Sequence, residues 1–172
     1  MKKADILISN KDGIYLVKVD GRATFECAPP LRNLAKDLEQ TPFKRICVDL
    51  RTCTGMDSTF MGILTMLGLR SKRIGAEMAI YNASEFSVSL LHGLGIKKLF
   101  SFVSGEMDAP AGATTPQQAQ STIQDEKIAN AKMVIEAHKT LMEADESNIK
   151  KFEKVVEFTQ KDLDNLNKQS KS

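Results

Sequence analysis

A short apolar run, Ile46-Cys47-Val48 with Leu50 after Asp49, gives way to small polar residues and then to apolar residues at a different period. The first run has the length and β-branched content of a buried strand. Beyond it Phe60, Ile63, Leu64 and Leu67 recur at helical spacing, i, i+3, i+4 and i+7. The sequence thus predicts a strand over 45–50, a small polar loop, and a helix from Ser58 to about Lys72. A strand feeding a helix through a short link belongs to a parallel crossover, which confines the fold to the α/β class. Asp57-Ser58 falls at the start of that helix, where free backbone N–H groups and the helix dipole favour negative charge. A serine there is either a plain cap or a phosphate acceptor.

The flanking sequence repeats the same grammar. Residues 5–9 and 14–19 read as two strands, joined by Asn10-Lys11-Asp12-Gly13 with its Asp-Gly turn signal. Asp20-Gly21-Arg22 is expected to end the second strand. Pro29-Pro30 opens a helix to about Glu39, with Leu31, Leu34, Ala35 and Leu38 on one side, and Thr41-Pro42 breaks it. Gly75 ends the central helix, helped by Lys72 and Arg73, while Gly62 and Gly68 inside it point to close packing on a neighbour. A strand over 77–82, a helix capped by Ser84 and a last element within 96–103 complete a mixed α/β layer of about 100 residues, an ordinary domain size.

The remainder differs in kind. Residues 105–122 are small, Pro- and Gln-rich and read as a linker. From Ile123 to Gln169 there is neither Gly nor Pro. Ile128, Ile135, Met142, Ile149, Val156 and Leu163 recur every seven residues, with Ala131, His138, Asp145, Phe152, Thr159 and Leu166 in the second seam position. That pattern predicts a coiled coil or a helix docked on a partner surface, and a homodimer through 123–169 is one arrangement of it. Asp145-Glu146-Ser147-Asn148 carries capping chemistry that allows a helical hairpin instead.

Composition narrows the function classes. A net charge of +2, eight Phe, two Tyr and no Trp argue against a dedicated nucleic-acid binder. No apolar run approaches the roughly 20 residues of a membrane span, and Asp5 interrupts anything resembling a leader, so the protein is expected to be cytoplasmic. Cys27, Cys47 and Cys53 are odd in number and irregularly spaced, and no metal site or cofactor is expected. His92 and His138 are read as structural. Asp49 and Asp57 flank the polar loop, and their expected work is loop and cap hydrogen bonding. Phosphate-loop, dinucleotide-binding and nucleophile-elbow motifs are missing, so catalysis is not expected.

The run ending in Asp49-Leu50, the small polar loop, and Met56-Asp57-Ser58-Thr59-Phe60-Met61-Gly62 together resemble the signature of STAS domains, among them the bacterial anti-sigma factor antagonists. The resemblance covers about residues 5–104 and sets a STAS-like domain over 1–104, a linker over 105–122 and a helical extension over 123–169. It implies a mixed β-sheet with helices mainly on one face. It also implies a non-enzymatic module that binds a serine kinase acting as anti-sigma factor, with a phosphatase reversing the kinase's action. Carried over by motif position, the acceptor is Ser58, with Thr59 as the alternative. Asp57, Ser58, Thr59, Gly21, Arg22 and Asn82 would form the partner surface. Thr59 and Phe60 depart from the small residue and Gly that many relatives carry after Asp-Ser. The second reading keeps the fold but makes it a constitutive scaffold or transporter-associated subunit acting through its long helix.

Overall fold

Five strands form one sheet in the order β1-β2-β3-β4-β5, in a computed structural model that describes residues 3–107 and 122–171. Strand β1 (Asp5–Lys11) pairs antiparallel with β2 (Ile14–Ala23) across the Asp12-Gly13 turn, where both residues have positive φ. Strands β2, β3 (Arg45–Met56), β4 (Glu77–Tyr81) and β5 (Ser101–Val103) are mutually parallel. Helices α1 (Pro29–Asp37), α2 (Ser58–Ile74) and α3 (Glu85–Gly93) make the crossovers, and a 3-10 turn over Lys97–Leu99 leads into β5.

The register explains where the core sits. Ile6 opposes Val19, Val17 opposes Val48, Ile46 opposes Met78 and Val48 opposes Ile80. All of these belong to the main core, and period-two alternation places them on one face of the sheet. The other face carries Lys18, Cys47, Asp49 and Ala79 at the intervening positions. Leu31, Leu34, Phe60, Ile63, Leu64, Leu67 and Leu91 join the core from the helices, so one hydrophobic face collects all three crossovers.

Two expectations are corrected here. The second strand does not end at Asp20-Gly21-Arg22, and residues 51–56 are not a loop. Both strands continue, with Gly21 opposite Cys53 and Ala23 opposite Met56, through register shifts around Asp20 and Gly21. Gly21 has φ +110°, and a Cβ there would lie 3.2 Å from the Ala4 backbone. The bulged pairing therefore needs glycine, and it carries β3 onward to deliver Asp57 and Ser58.

Residues 108–121 of the expected linker lie outside the described residues, and Thr122 is the N-cap of the next helix in a capping box with Asp125. The C-terminal region takes the hairpin alternative: α4 (Ile123–Ala144) and α5 (Ser147–Ser170), interrupted at Asp145. Asp145 accepts from the Ser147 N–H and hydroxyl at 2.9 and 2.6 Å, which is the capping chemistry that turns the chain.

The hairpin folds back onto the domain. Met133, Ala137 and Leu141, spaced i, i+4, i+8 on α4, enter the domain core. Gly62 of α2 allows this close approach, since a Cβ there would lie 2.5 Å from the Ala137 carbonyl oxygen. Gly68 plays the matching part against Leu99 and Phe100. Polar links fix the orientation. Arg32 of α1 makes a two-pronged ion pair to Glu136 at 3.1 and 3.2 Å. Asn148, fully buried, donates to the Leu94 and Leu141 carbonyls, each at 2.8 Å. Lys151 donates to the Gly93 carbonyl.

Candidate functional site

Asp57 and Ser58 stand where β3 ends and α2 begins. Asp57 is the N-cap, in extended conformation, and its Oδ1 accepts from the Phe60 N–H at 2.8 Å. Its Oδ2 accepts from the Phe25 N–H, also at 2.8 Å. One carboxylate thus ties the helix start to the segment after β2, and the Asp57 N–H returns a bond to the Ala23 carbonyl. Asp57 is a structural brace as well as a surface group.

Ser58 is the first residue of α2 and is partly exposed. Its Oγ lies 2.8 Å from Nε2 of His138, eighty residues away on α4. The other ring nitrogen, Nδ1, lies 2.6 Å from the Val134 carbonyl. A carbonyl only accepts, so Nδ1 carries the proton in the neutral ring. Nε2 is then the acceptor, and the Ser58 hydroxyl donates to it. His138 is 3% exposed and stands edge-on to the Phe152 ring of α5, with centroids 4.9 Å apart. Burial holds its pKa below the ordinary histidine value, while the Val134 bond and nearby Asp57 act in the opposite sense. A charged ring would also lose the ability to accept from Ser58.

The other expected site residues are arranged unevenly. Thr59 is 5% exposed inside the first turn of α2, a buried position next to the half-buried Ser58. Gly21 lies in the bulged end of β2, and Arg22 is exposed opposite Gly55 on the same strand ending. Asn82 follows β4, level with the middle of β3, because Tyr81 opposes Asp49. Its side chain donates to the Gly105 carbonyl at 2.8 Å and accepts from the Gly105 N–H at 2.9 Å. Asp49 accepts from the Arg51 N–H at 2.9 Å. The structure therefore gathers Asp57, Ser58 and His138, sets Gly21 and Arg22 on the strand pair leading to them, and uses Asn82 to fasten the segment after β5.

His138 is the residue that sequence reasoning assigned to structure alone. Its contact with Ser58 is long-range, and the second seam position that holds it is mixed, with Asp145 and Thr159 in the same row, so the imidazole did not stand out. Among the described residues no group of His, Cys, Asp and Glu is arranged to hold a metal ion, and no helix is long and apolar enough to cross a membrane. The three cysteines are buried free thiols, each raised above the ordinary thiol pKa chiefly by burial.

A model of the STAS domain family matches residues 5–109. The solved structure of the anti-sigma factor antagonist SpoIIAA in its unphosphorylated form aligns with a TM-score of 0.52 at 11% identity, over 59% of this chain and 88% of that chain. RsbS of Moorella thermoacetica aligns with a TM-score of 0.50 at 11% identity, over 59% of this chain and 87% of that chain. At these identities the likeness is one of fold. No curated protein sequence matches the chain.

Proposed function

The chain belongs to the STAS domain family, and from that membership we propose that it is a non-catalytic, cytoplasmic regulatory module that binds a partner protein through the Ser58 face. In this reading a serine kinase, itself an anti-sigma factor, phosphorylates Ser58, and a phosphatase restores the hydroxyl. The observation that carries it is the position of Ser58: a half-buried serine at the first residue of α2, directly after its Asp57 cap. The likeness in fold to an anti-sigma factor antagonist described as unphosphorylated supports the same reading.

The physics of such a switch is simple. Phosphate adds about −1.5 to −2 charge at pH 7, and the α2 N-terminus favours that charge within the domain. Against a partner surface shaped for a hydroxyl, the same charge beside Asp57 is repelled and desolvated, and each 1.4 kcal/mol lost is about tenfold in affinity. Peptide mass spectrometry on the protein from its native cells tests the proposal. A substoichiometric phosphate on Ser58, absent from Ser58→Ala, is expected, and Ser58→Ala and Ser58→Asp should have opposite effects on partner capture. An unmodified Ser58 under every growth condition, with equal effects of the two variants, would leave the scaffold reading. Homodimerisation through 123–169 would use the exposed Ile149, Val155 and Phe158 of α5, because the inner row of α4 is already packed on α2.

A further inference from the structure

The hydroxyl that the proposed function needs in contact with another protein is already in contact with this one. Ser58 donates to His138, and one residue before it Ala137 sits against Gly62 one helical turn along α2. The α4 helix lies directly over the N-terminal half of α2. A protein interface of standard size takes about 800 Å² from each side and some 20–30 residues. No patch of that size centred on Ser58 avoids a helix whose side chain lies 2.8 Å from its centre. Phosphorylation meets the same obstacle, because a phosphoryl group does not fit between Oγ and Nε2 at that separation.

We propose that the C-terminal hairpin is an intramolecular occupant of the partner-binding surface, and that α4 must leave α2 before Ser58 can be bound or phosphorylated. The proposal rests on Ser58 being the regulated hydroxyl. The closed state is fastened at three separate places: Glu136 on Arg32, Ala137 and His138 on α2, and Asn148 with Lys151 on the C-terminal end of α3. These links resemble a docked interface more than a loosely packed tail. They are also local enough to release as a unit, since the described part of the hairpin joins the domain only through contacts and the chain between β5 and α4. The consequence is quantitative. A partner that binds only the open form sees its affinity reduced by the open fraction, so a hairpin open about 1% of the time weakens apparent binding about 100-fold. Anything that captures the hairpin elsewhere restores that factor.

The test needs no kinase. Ser58→Cys in the full chain places a thiol at the covered position, and the native cysteines are buried, giving a low background measured on the parent protein. The probe is N-ethylmaleimide, with deuterium uptake over residues 133–141 followed on the same samples. The Gly62→Ala change adds a methyl group where the Ala137 carbonyl now lies and leaves the α2 backbone helical. In the Ser58→Cys background it should raise both the labelling rate and the uptake at least tenfold. Loss of the His138 contact makes a thiol less nucleophilic, so acceleration reports access and not activation. Ala137→Glu, confined to the hairpin, should do the same if Gly62→Ala unfolds the domain. Rapid labelling of the Ser58→Cys protein before any second change would overturn the proposal, as would unchanged labelling when uptake over 133–141 rises, or a hairpin that neither variant shifts. None of these outcomes bears on whether native Ser58 carries phosphate, which the mass measurement decides alone.

Discussion

Replacing Asp57 with Ala removes two backbone hydrogen bonds made by one carboxylate, and the two are separable. Oδ1 caps α2 through the Phe60 N–H, and Oδ2 holds the Phe25 N–H of the segment after the neighbouring strand β2, both at 2.8 Å. Loss of an N-cap costs about 0.5–2 kcal/mol. A hydrogen bond to a charged acceptor is worth about 1.5–3 kcal/mol, and the lower end applies here because Phe25 is exposed and its freed N–H meets water. The sum for Asp57→Ala is about 2–4 kcal/mol, which at this chain length lowers Tm by about 4–16 °C. Asn caps a helix nearly as well as Asp, but its NH2 group cannot accept from the second N–H. Asp57→Asn should therefore cost only about 1–2 kcal/mol, the Phe25 link alone. Denaturant unfolding of the three full-length proteins, with amide exchange read at Phe25 and Phe60, measures the split. In the Asn variant Phe25 alone should exchange faster. An Ala variant within about 0.5 kcal/mol of the parent would refute the brace, as would Asn and Ala variants of equal cost. The first result would make Asp57 purely a contact residue of the partner surface.

Two further perturbations act on the hairpin. His138 is held below its ordinary pKa by burial, so the released or unfolded chain binds a proton more readily than the docked one. The groups around the ring are the Ser58 hydroxyl, the Val134 carbonyl, the Phe152 ring and the Asp57 carboxylate, and only Asp57 favours the charged form through its charge. The contribution of His138 to docking is accordingly fully present above about pH 6.5 and is lost as pH falls below it, a slope that His138→Gln should abolish in pH-dependent exchange over α4. Asn148→Ala removes one donor from each of two buried carbonyls, Leu94 and Leu141, the latter keeping the Asp145 N–H, and should loosen the α4–α5 turn by about 1–3 kcal/mol. Faster exchange across residues 145–151 with the sheet unaffected is the expected readout, and an unchanged turn would remove Asn148 from the anchoring of the hairpin.

The layered α/β domain was legible because its signals are local and agree with one another. Short apolar runs mark the strands, Asp12-Gly13 the hairpin, Pro29-Pro30 and Ser84 the helix starts, and Gly75 at φ +73° the end of α2. The far half of β3 was missed for a physical reason. Arg51-Thr52-Cys53-Thr54-Gly55 has turn-like composition, and it is extended only because the bulged end of β2 is there to pair with it. The heptad marks a helical stripe, and the capping residues at 145–148 allow a hairpin, but a repeat does not say which face meets which neighbour. The α4 positions that reach the domain core, Met133, Ala137 and Leu141, are not the heptad row; Ile135 and Leu163 of that row are buried away from the core. A hairpin docked on a domain needs one face for α2 and another for α5, whereas a symmetric two-stranded coil needs a single seam.

Gly62 shows how a local cost can be informative about a distant contact. Glycine inside a helix is about 0.5–1 kcal/mol worse than alanine, and Gly62 has a helical conformation that alanine adopts without strain. Seen from the STAS domain alone, Gly62→Ala should stabilise α2. Seen with the hairpin docked, the same methyl group meets the Ala137 carbonyl, which belongs to backbone and cannot rotate aside. The sign of the substitution therefore depends on whether α4 is seated. This links the two halves of the molecule energetically: α2 carries a residue that is unfavourable for the helix itself and favourable only beneath α4. Ser58 stands one turn before Gly62 on the same face of α2, so the geometry that lets the hairpin approach closely is also the geometry that brings His138 onto the hydroxyl.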